Sequence, residues 1–202
     1  MSFVTRGFGG RRGVEAPPDR VPPGQYATSD FPVLSAGPTP RVGLEEWRLT
    51  ITDTRGTDVS WSWDELQALD HESSKVDIHC VTKWTKLDTS WQGVSLDTLL
   101  ADVDLTGARD VLAHSYGGYS TNLPLPDLTG GKAWIAHSYE GEPLAPEHGG
   151  PARLLVPHLY FWKSAKWVNR LVLLESDRPG FWESYGYHNY GDPWREQRYT
   201  GD

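Results

Sequence analysis

Apolar residues in this chain come in short alternating runs, and glycine, proline or another turn residue closes nearly every run within a few positions. Long amphipathic helices and strict βαβ repetition both need longer uninterrupted periods than this pattern allows. In "EEWRLTIT", Trp47, Leu49 and Ile51 alternate with polar residues, the mark of a half-buried strand. "KVDIHCV" alternates in the same way, which puts Val76, Ile78 and Cys80 on one strand face and Asp77, His79 and Val81 on the other. "DVLAHSY", "YSTNLPL", "KAWIAHSY", "ARLLVP" and "NRLVLLE" read as further strands. Two segments read as short helices: "SWDELQAL", where Ser62 and Glu65 form a capping box, and "SLDTLLADV". Many strands and few short helices, outside βαβ order, predict a mixed, β-rich α+β domain.

A chain of 202 residues fits one domain. Residues 1–27 are rich in Gly, Arg and Pro and read as a flexible or extended arm, leaving 28–202 as a single domain. The tail "GFWESYGYHNYGDPWREQRY" is aromatic and Gly-rich without a period, so it reads as an ordered loop covering something. No stretch approaches the roughly 20 apolar residues that span a bilayer. Gly, Glu and Pro follow Arg11-Arg12 where an export signal needs an apolar region, and the expected location is cytoplasmic. A net charge of −8 repels phosphate backbones and argues against general nucleic-acid binding. Ten tryptophans suit a large aromatic core or an aromatic-lined cleft.

Cys80 is the only cysteine, so an internal disulfide is excluded. Three readings remain open. A lone cysteine is most often a small buried hydrophobe. It can also be a nucleophile activated by a histidine, although the adjacent His79 points to the opposite strand face. Finally, it can be a thiolate ligand to a soft metal. No cluster with zinc-ligand spacing accompanies it, so most other ligands would have to come from a cofactor.

The segment 151–170, "PARLLVPHLYFWKSAKWVNR", carries Arg153, Lys163, Lys166 and Arg170 with no acidic residue. In an acidic chain this is a cationic island. Lys163, Ser164, Ala165 and Lys166 offer two ammonium groups, a hydroxyl and backbone N–H donors, an inventory suited to a phosphate. A solvated basic surface is the plainer alternative, but the neighbouring Phe161, Trp162 and Trp167 favour a partly enclosed site.

Four stretches, "DIHCVTKWTKLDTSWQGVSLDTLL", "GGYSTNLPL", "EPLAPEHGGPARLLVPHLYFWKSAKW" and "GFWESYGYHNYGDPWREQRY", together resemble the molybdopterin-binding, sulfite-oxidase-like oxidoreductases. The likeness runs from about residue 28 to the end. It implies a sulfite-oxidase-type domain binding Mo-molybdopterin, one pterin per molybdenum, with Cys80 as the metal's thiolate ligand. Tyr119 falls at the active-site tyrosine. The terminal phosphate would meet Ser164, Ala165 and Lys166, with Arg153, His148 and Lys163 contributing. Ser115 aligns with a pterin-contacting hydroxyl, "SDFPV" supplies Ser29, Phe31, Pro32 and Val33, and His79 lies beside the ligand. Lys83 and Trp84 replace the arginine-rich segment that follows the metal cysteine in sulfite oxidases. The implied reaction is two-electron oxygen-atom transfer on a small S- or N-centred substrate, with no haem and an external electron-transfer partner. The residues alone also allow a cofactor-free thiol enzyme or a non-catalytic anion-binding module.

Overall fold

A computed structural model describes residues 13–202 of the protein. Its strands and helices follow in chain order as β1 (Tyr26–Ala27), β2 (Arg48–Thr52), β3 (Asp58–Ser62), α1 (Trp63–Gln67), β4 (Glu72–His79), β5 (Trp84–Ser95), α2 (Leu96–Leu100), β6 (Asp110–Ser115), β7 (Ser120–Pro124), β8 (Trp134–Tyr139), β9 (Glu142–Pro143), β10 (Arg153–Leu155), β11 (Val168–Leu174) and α3 (Phe181–Ser184). The mixed, β-rich α+β architecture read from the sequence is the one observed. Local chemistry sets several boundaries. Ser62 accepts from the Glu65 backbone while the Glu65 carboxylate accepts from Ser62, so the expected capping box starts α1. Ser95 caps α2 by accepting from the Asp97 N–H.

One sheet runs β1-β5-β8-β10, with β4 on the other edge of β5 and β9 on β8. The second runs β3-β2-β11-β6-β7, and its central β2–β11 pair is parallel, with Leu171 opposite Ile51. The two sheets share a core. Leu49 and Ile51 from β2, Leu123 from β7 and Leu171 from β11 meet Val94, Ile135 and Leu154 from the first sheet. Each fully buried Leu or Ile in this layer contributes roughly 1.5–3 kcal/mol. The first sheet is buried on its far face as well. Along β8, Ile135 enters the shared core while Trp134 and Ala136 join a second cluster with Trp84, Trp91, Phe161 and Trp162. That aromatic layer carries the candidate site.

Gly93 lies at an irregularity in the β5–β8 pairing, where a Cβ would run into the Ile135 carbonyl and come 2.7 Å from the Ala136 Cα. Only glycine fits so close a strand approach.

The arm expected over residues 1–27 falls partly on 1–12, outside the described residues. The rest lies along the first sheet. Arg20 makes a forked contact with Asp77 (3.1 and 2.6 Å), and Tyr26–Ala27 pair in parallel with Trp84–Thr85. Among the described residues, no helix is long and apolar enough to cross a membrane.

Candidate active site

β4 and β5 form a hairpin, and Cys80 opens its turn. Its N–H donates to the Trp84 carbonyl, and its carbonyl accepts from Lys83 N–H, both at 2.9 Å. Lys83 closes the turn at φ 75°, in the left-handed region. The sequence pattern carries the strand on to Val81. In the structure β4 ends at His79, and its register slips between Val76 and Ile78, so strict alternation fails there. Cys80 thus sits at a fixed hairpin tip. It is 8% exposed, and the Thr82 hydroxyl donates to its sulfur at 3.2 Å.

The thiol opens into a cavity of about 340 Å³. The hairpin gives Cys80 and Trp84, and the N-terminal segment gives Phe31 and Pro32. The turn before β7 places Tyr119, and the cationic island places Arg153, Phe161, Trp162, Ser164 and Lys166. The tail closes the far side with Phe181, Trp182 and Tyr187. His148 packs flat on Phe31, with ring centroids 3.8 Å apart.

Within the island Arg153 and Lys163 are buried and Lys166 is half-buried, while Arg170 stands at the surface in an ion pair with Asp58. Arg153 donates to the carbonyls of His148 (2.7 Å) and Ser164 (2.6 Å), and its guanidinium lies 4.0 Å from the centre of the Phe161 ring. Burial pushes Arg153 down to about 9. Lys166 donates to the carbonyls of Leu34 (2.7 Å) and Glu147 (2.6 Å). Burial and the nearby Arg153 push its ammonium down to about 8, while Cys80 and Glu147 oppose the shift. Tyr119 donates to the Trp162 carbonyl at 2.6 Å, and burial together with the Glu183 charge pushes its phenol well up.

Of the residues expected at the site, Cys80, Tyr119, Phe31, Pro32, His148, Arg153, Ser164 and Lys166 come together on this cavity. The others lie elsewhere. Ser29 is exposed and offers its carbonyl to Lys86, and Val33 is half exposed. Ala165 packs into the core between the sheets. The buried Ser115 hydroxyl has no hydrogen-bond partner among the described residues, and it is not part of the cavity lining. Lys163 points away from the cavity. Its ammonium makes a 2.7 Å ion pair with Glu183 and donates to Asn122 and Asn189, which accounts for all its protons. The sequence placed Lys163 on a phosphate because its partner is 20 positions downstream, in the tail. Trp182 and Tyr187 are wall residues that the sequence marks only as part of the aromatic tail, a stretch that shares in the family resemblance and reads as a covering loop.

His79 is the last residue of β4, opposite Thr85 in the hairpin and outside the cavity lining. Its Nδ1 is 3.0 Å from the Thr85 hydroxyl, which gives its own proton to Gln25, so Nδ1–H is the donor. Burial pushes His79 down to about 4, with Asp77 opposing. From the ordinary value of 6.5 down to about 4, the unfolded chain binds the extra proton, so folding stability falls with pH through that window. The expected loss is on the order of 2–3 kcal/mol. Urea unfolding at pH 7 and pH 4.5 reads it. His79→Gln should lose stability less steeply, and equal slopes for the two proteins would refute the assignment.

Two cavity atoms also bear on what the site holds. Trp84 Nε1 and His148 Nδ1 are buried on its wall with no hydrogen-bond partner among the described residues. Leaving such groups unmade is costly, and a polar ligand in the cavity would satisfy them. A soft thiol, the buried Arg153, the half-buried Lys166 and the unmatched Trp84 and His148 ring nitrogens on an aromatic wall form a set that fits a phosphorylated cofactor carrying a thiophilic metal.

Comparison with known proteins agrees. The oxidoreductase molybdopterin binding domain family matches residues 36–182, well over half of the chain. Uncharacterized oxidoreductase YuiH of Bacillus subtilis (strain 168) is 42% identical over 188 residues, which is 91% of this chain and 93% of that protein. The protein-methionine-sulfoxide reductase catalytic subunit MsrP of Gluconobacter oxydans (strain 621H) is 27% identical over 132 residues, covering 56% of this chain and 42% of that protein. Among solved structures, sulfane dehydrogenase SoxCD from Paracoccus pantotrophus shares the fold, with a TM-score of 0.61 at 20% identity, over 68% of this chain and 40% of that one. With its fold, its cavity and both sequence matches in accord, the chain belongs to the oxidoreductase molybdopterin binding domain family, within the sulfite-oxidase-like molybdenum oxidoreductases.

Proposed function

We propose that this enzyme binds one molybdopterin per molybdenum through Cys80 and catalyses two-electron oxygen-atom transfer on a small S- or N-centred substrate. The observation that carries the reading is the Cys80 thiol placed in one cavity with the Arg153 and Lys166 cations and the unmatched ring nitrogens of His148 and Trp84. When bound, the cofactor supplies the two-electron redox couple and the site of oxygen transfer.

The chain's own residues supply ligation, charge and shape. Cys80 gives a soft donor whose position is fixed by the hairpin hydrogen bonds. Arg153 and Lys166 would hold the cofactor's phosphate by their positive charge, and the stacked Phe31 and His148 would offer a flat wall to its ring system. Tyr119 keeps its proton at neutral pH, because burial and Glu183 disfavour the phenolate. Its one proton is given to the Trp162 carbonyl, so toward the cavity the phenol oxygen acts as an acceptor, and donating to a reacting oxygen would require it to release that carbonyl. Electrons would pass to or from a separate protein or small-molecule partner.

Elemental analysis of protein made in a molybdopterin-producing host tests this reading. Close to one molybdenum per chain is expected for the wild type. Cys80→Ser should lose most of the metal or shift the visible absorption, since a hard alkoxide or hydroxyl replaces a soft thiolate. A wild-type preparation replete in pterin but free of molybdenum would sink the assignment.

A further inference from the structure

We infer that Thr82 is a positioning residue for the metal: its hydroxyl holds the Cys80 sulfur and so raises the reduction potential of the metal ligated there. This rests on the molybdenum reading above and deepens it by naming a side chain that sets the redox poise of the site.

The hairpin turn fixes the backbone first. Lys83 N–H donates to the Cys80 carbonyl, and the Cys80 N–H donates to Trp84. These bonds set the Cys80 backbone but leave rotation about χ1 to its staggered choices. Thr82, two residues on, reaches back over the turn, and its hydroxyl donates to Sγ at 3.2 Å. The stiff χ1 of a β-branched side chain presents that hydroxyl with little freedom to lose.

Other groups act on the sulfur in a different way. Lys166 and Tyr187 are near enough to Cys80 for their charges to be felt there. The Lys166 ammonium, however, gives protons to the carbonyls of Leu34 and Glu147, so it reaches the sulfur as a distant point charge. The Thr82 O–H is directed at the sulfur itself.

A thiolate is a charged acceptor and takes a stronger hydrogen bond than a neutral one. The bond withdraws electron density from the sulfur, the sulfur donates less to the metal, and the reduced metal is favoured. Hydrogen bonds to ligating sulfurs tune blue-copper and iron–sulfur potentials by this route. Thr82 is exposed, yet it lines the same cavity as Cys80. A cofactor seated there would shut water away from the bond, and a hydrogen bond is stronger in a drier setting. Because Thr82 is exposed, its replacement leaves the stability of the fold nearly unchanged.

The test compares wild type, Thr82→Val and Thr82→Ser, each as holoenzyme with its molybdenum content measured. Valine keeps the shape and loses the hydroxyl, whereas serine keeps the hydroxyl. Each protein is titrated potentiometrically while the electron paramagnetic resonance of half-reduced molybdenum and the visible absorption are recorded. Ratios are taken per bound molybdenum, so partial loading does not enter them. At a fixed potential Thr82→Val should shift the ratio of oxidised to reduced metal about tenfold toward oxidised, ~59 mV downward for one electron. Its sulfur-to-metal absorption should move to longer wavelength, because a sulfur lone pair without the hydrogen bond lies higher in energy. Thr82→Ser should stay near wild type in both. A Thr82→Val ratio within about twofold of wild type would overturn this inference alone. A Thr82→Ser protein that follows valine would do the same, since the hydroxyl would not be the cause. Wild-type protein replete in pterin but free of molybdenum would overturn the molybdenum reading and this inference with it.

Discussion

Lys163→Met is expected to destabilise the fold by roughly 3–5 kcal/mol, the cost of leaving one member of a buried ion pair without its partner. Lys163 and Glu183 lie 2.7 Å apart, each with a side chain 1% exposed. Glu183 also accepts from the Trp162 indole at 2.8 Å and from the Thr121 hydroxyl at 2.9 Å. One carboxylate therefore ties the tail to the cavity wall and to β7. Removing the ammonium leaves that carboxylate charged in a dry setting, or forces it to take up a proton. The double variant Lys163→Met/Glu183→Gln removes both charges and keeps an amide oxygen for Trp162, so it should be more stable than Lys163→Met alone. Urea midpoints for the three proteins decide the matter. A loss below about 1 kcal/mol in the single variant is the size of a surface pair and would mean the two charges are not coupled as described.

Arg153→Lys should be the next most damaging change, although it conserves charge. The guanidinium reaches the carbonyls of His148 and Ser164 on two separate segments while its plane covers Phe161. A lysine ammonium is a compact point charge and cannot reproduce that fork. At least one buried carbonyl loses its donor, at a cost on the order of 2–3 kcal/mol. The phosphate cradle shifts as well, so molybdenum retention through gel filtration should fall by about tenfold, the equivalent of ~1.4 kcal/mol in binding. Denaturant midpoints of the metal-free proteins give the first loss and metal per chain gives the second. Full metal retention by Arg153→Lys would show that the guanidinium serves the fold only.

Local signals in the sequence located most of the framework. Alternation at Trp47, Leu49 and Ile51 marks β2, and Ser62 with Glu65 marks the start of α1. β5 is harder to see. Asp88 interrupts it at φ 56°, and Gly93 sits in it for reasons of interstrand clearance, so neither alternation nor propensity reads cleanly across its 12 residues. The same division runs through the site. Cys80, Tyr119, Arg153, Ser164 and Lys166 sit in recognisable motifs, and the fold brings them to one cavity. Lys163 looked equivalent to Lys166 because charge and spacing are local, whereas its commitment to Glu183 exists only in three dimensions. Trp182 and Tyr187 lie in the tail stretch that shares in the family resemblance, but nothing in that stretch marks them as wall residues. Their role follows from where the tail docks.

That docking has a consequence for biosynthesis. The cavity walls come from positions as far apart as Phe31 and Tyr187, and the parallel pair at the centre of the second sheet joins Thr50 to Arg170. Pairings so distant in sequence form slowly and late. A chain stalled on the ribosome before residue 180 presents the Cys80 hairpin with one side of its pocket open and Lys163 without its counter-ion. Such an intermediate exposes a thiol and an aromatic face together, so it is the stage at which oxidation and aggregation compete with completion of the enzyme.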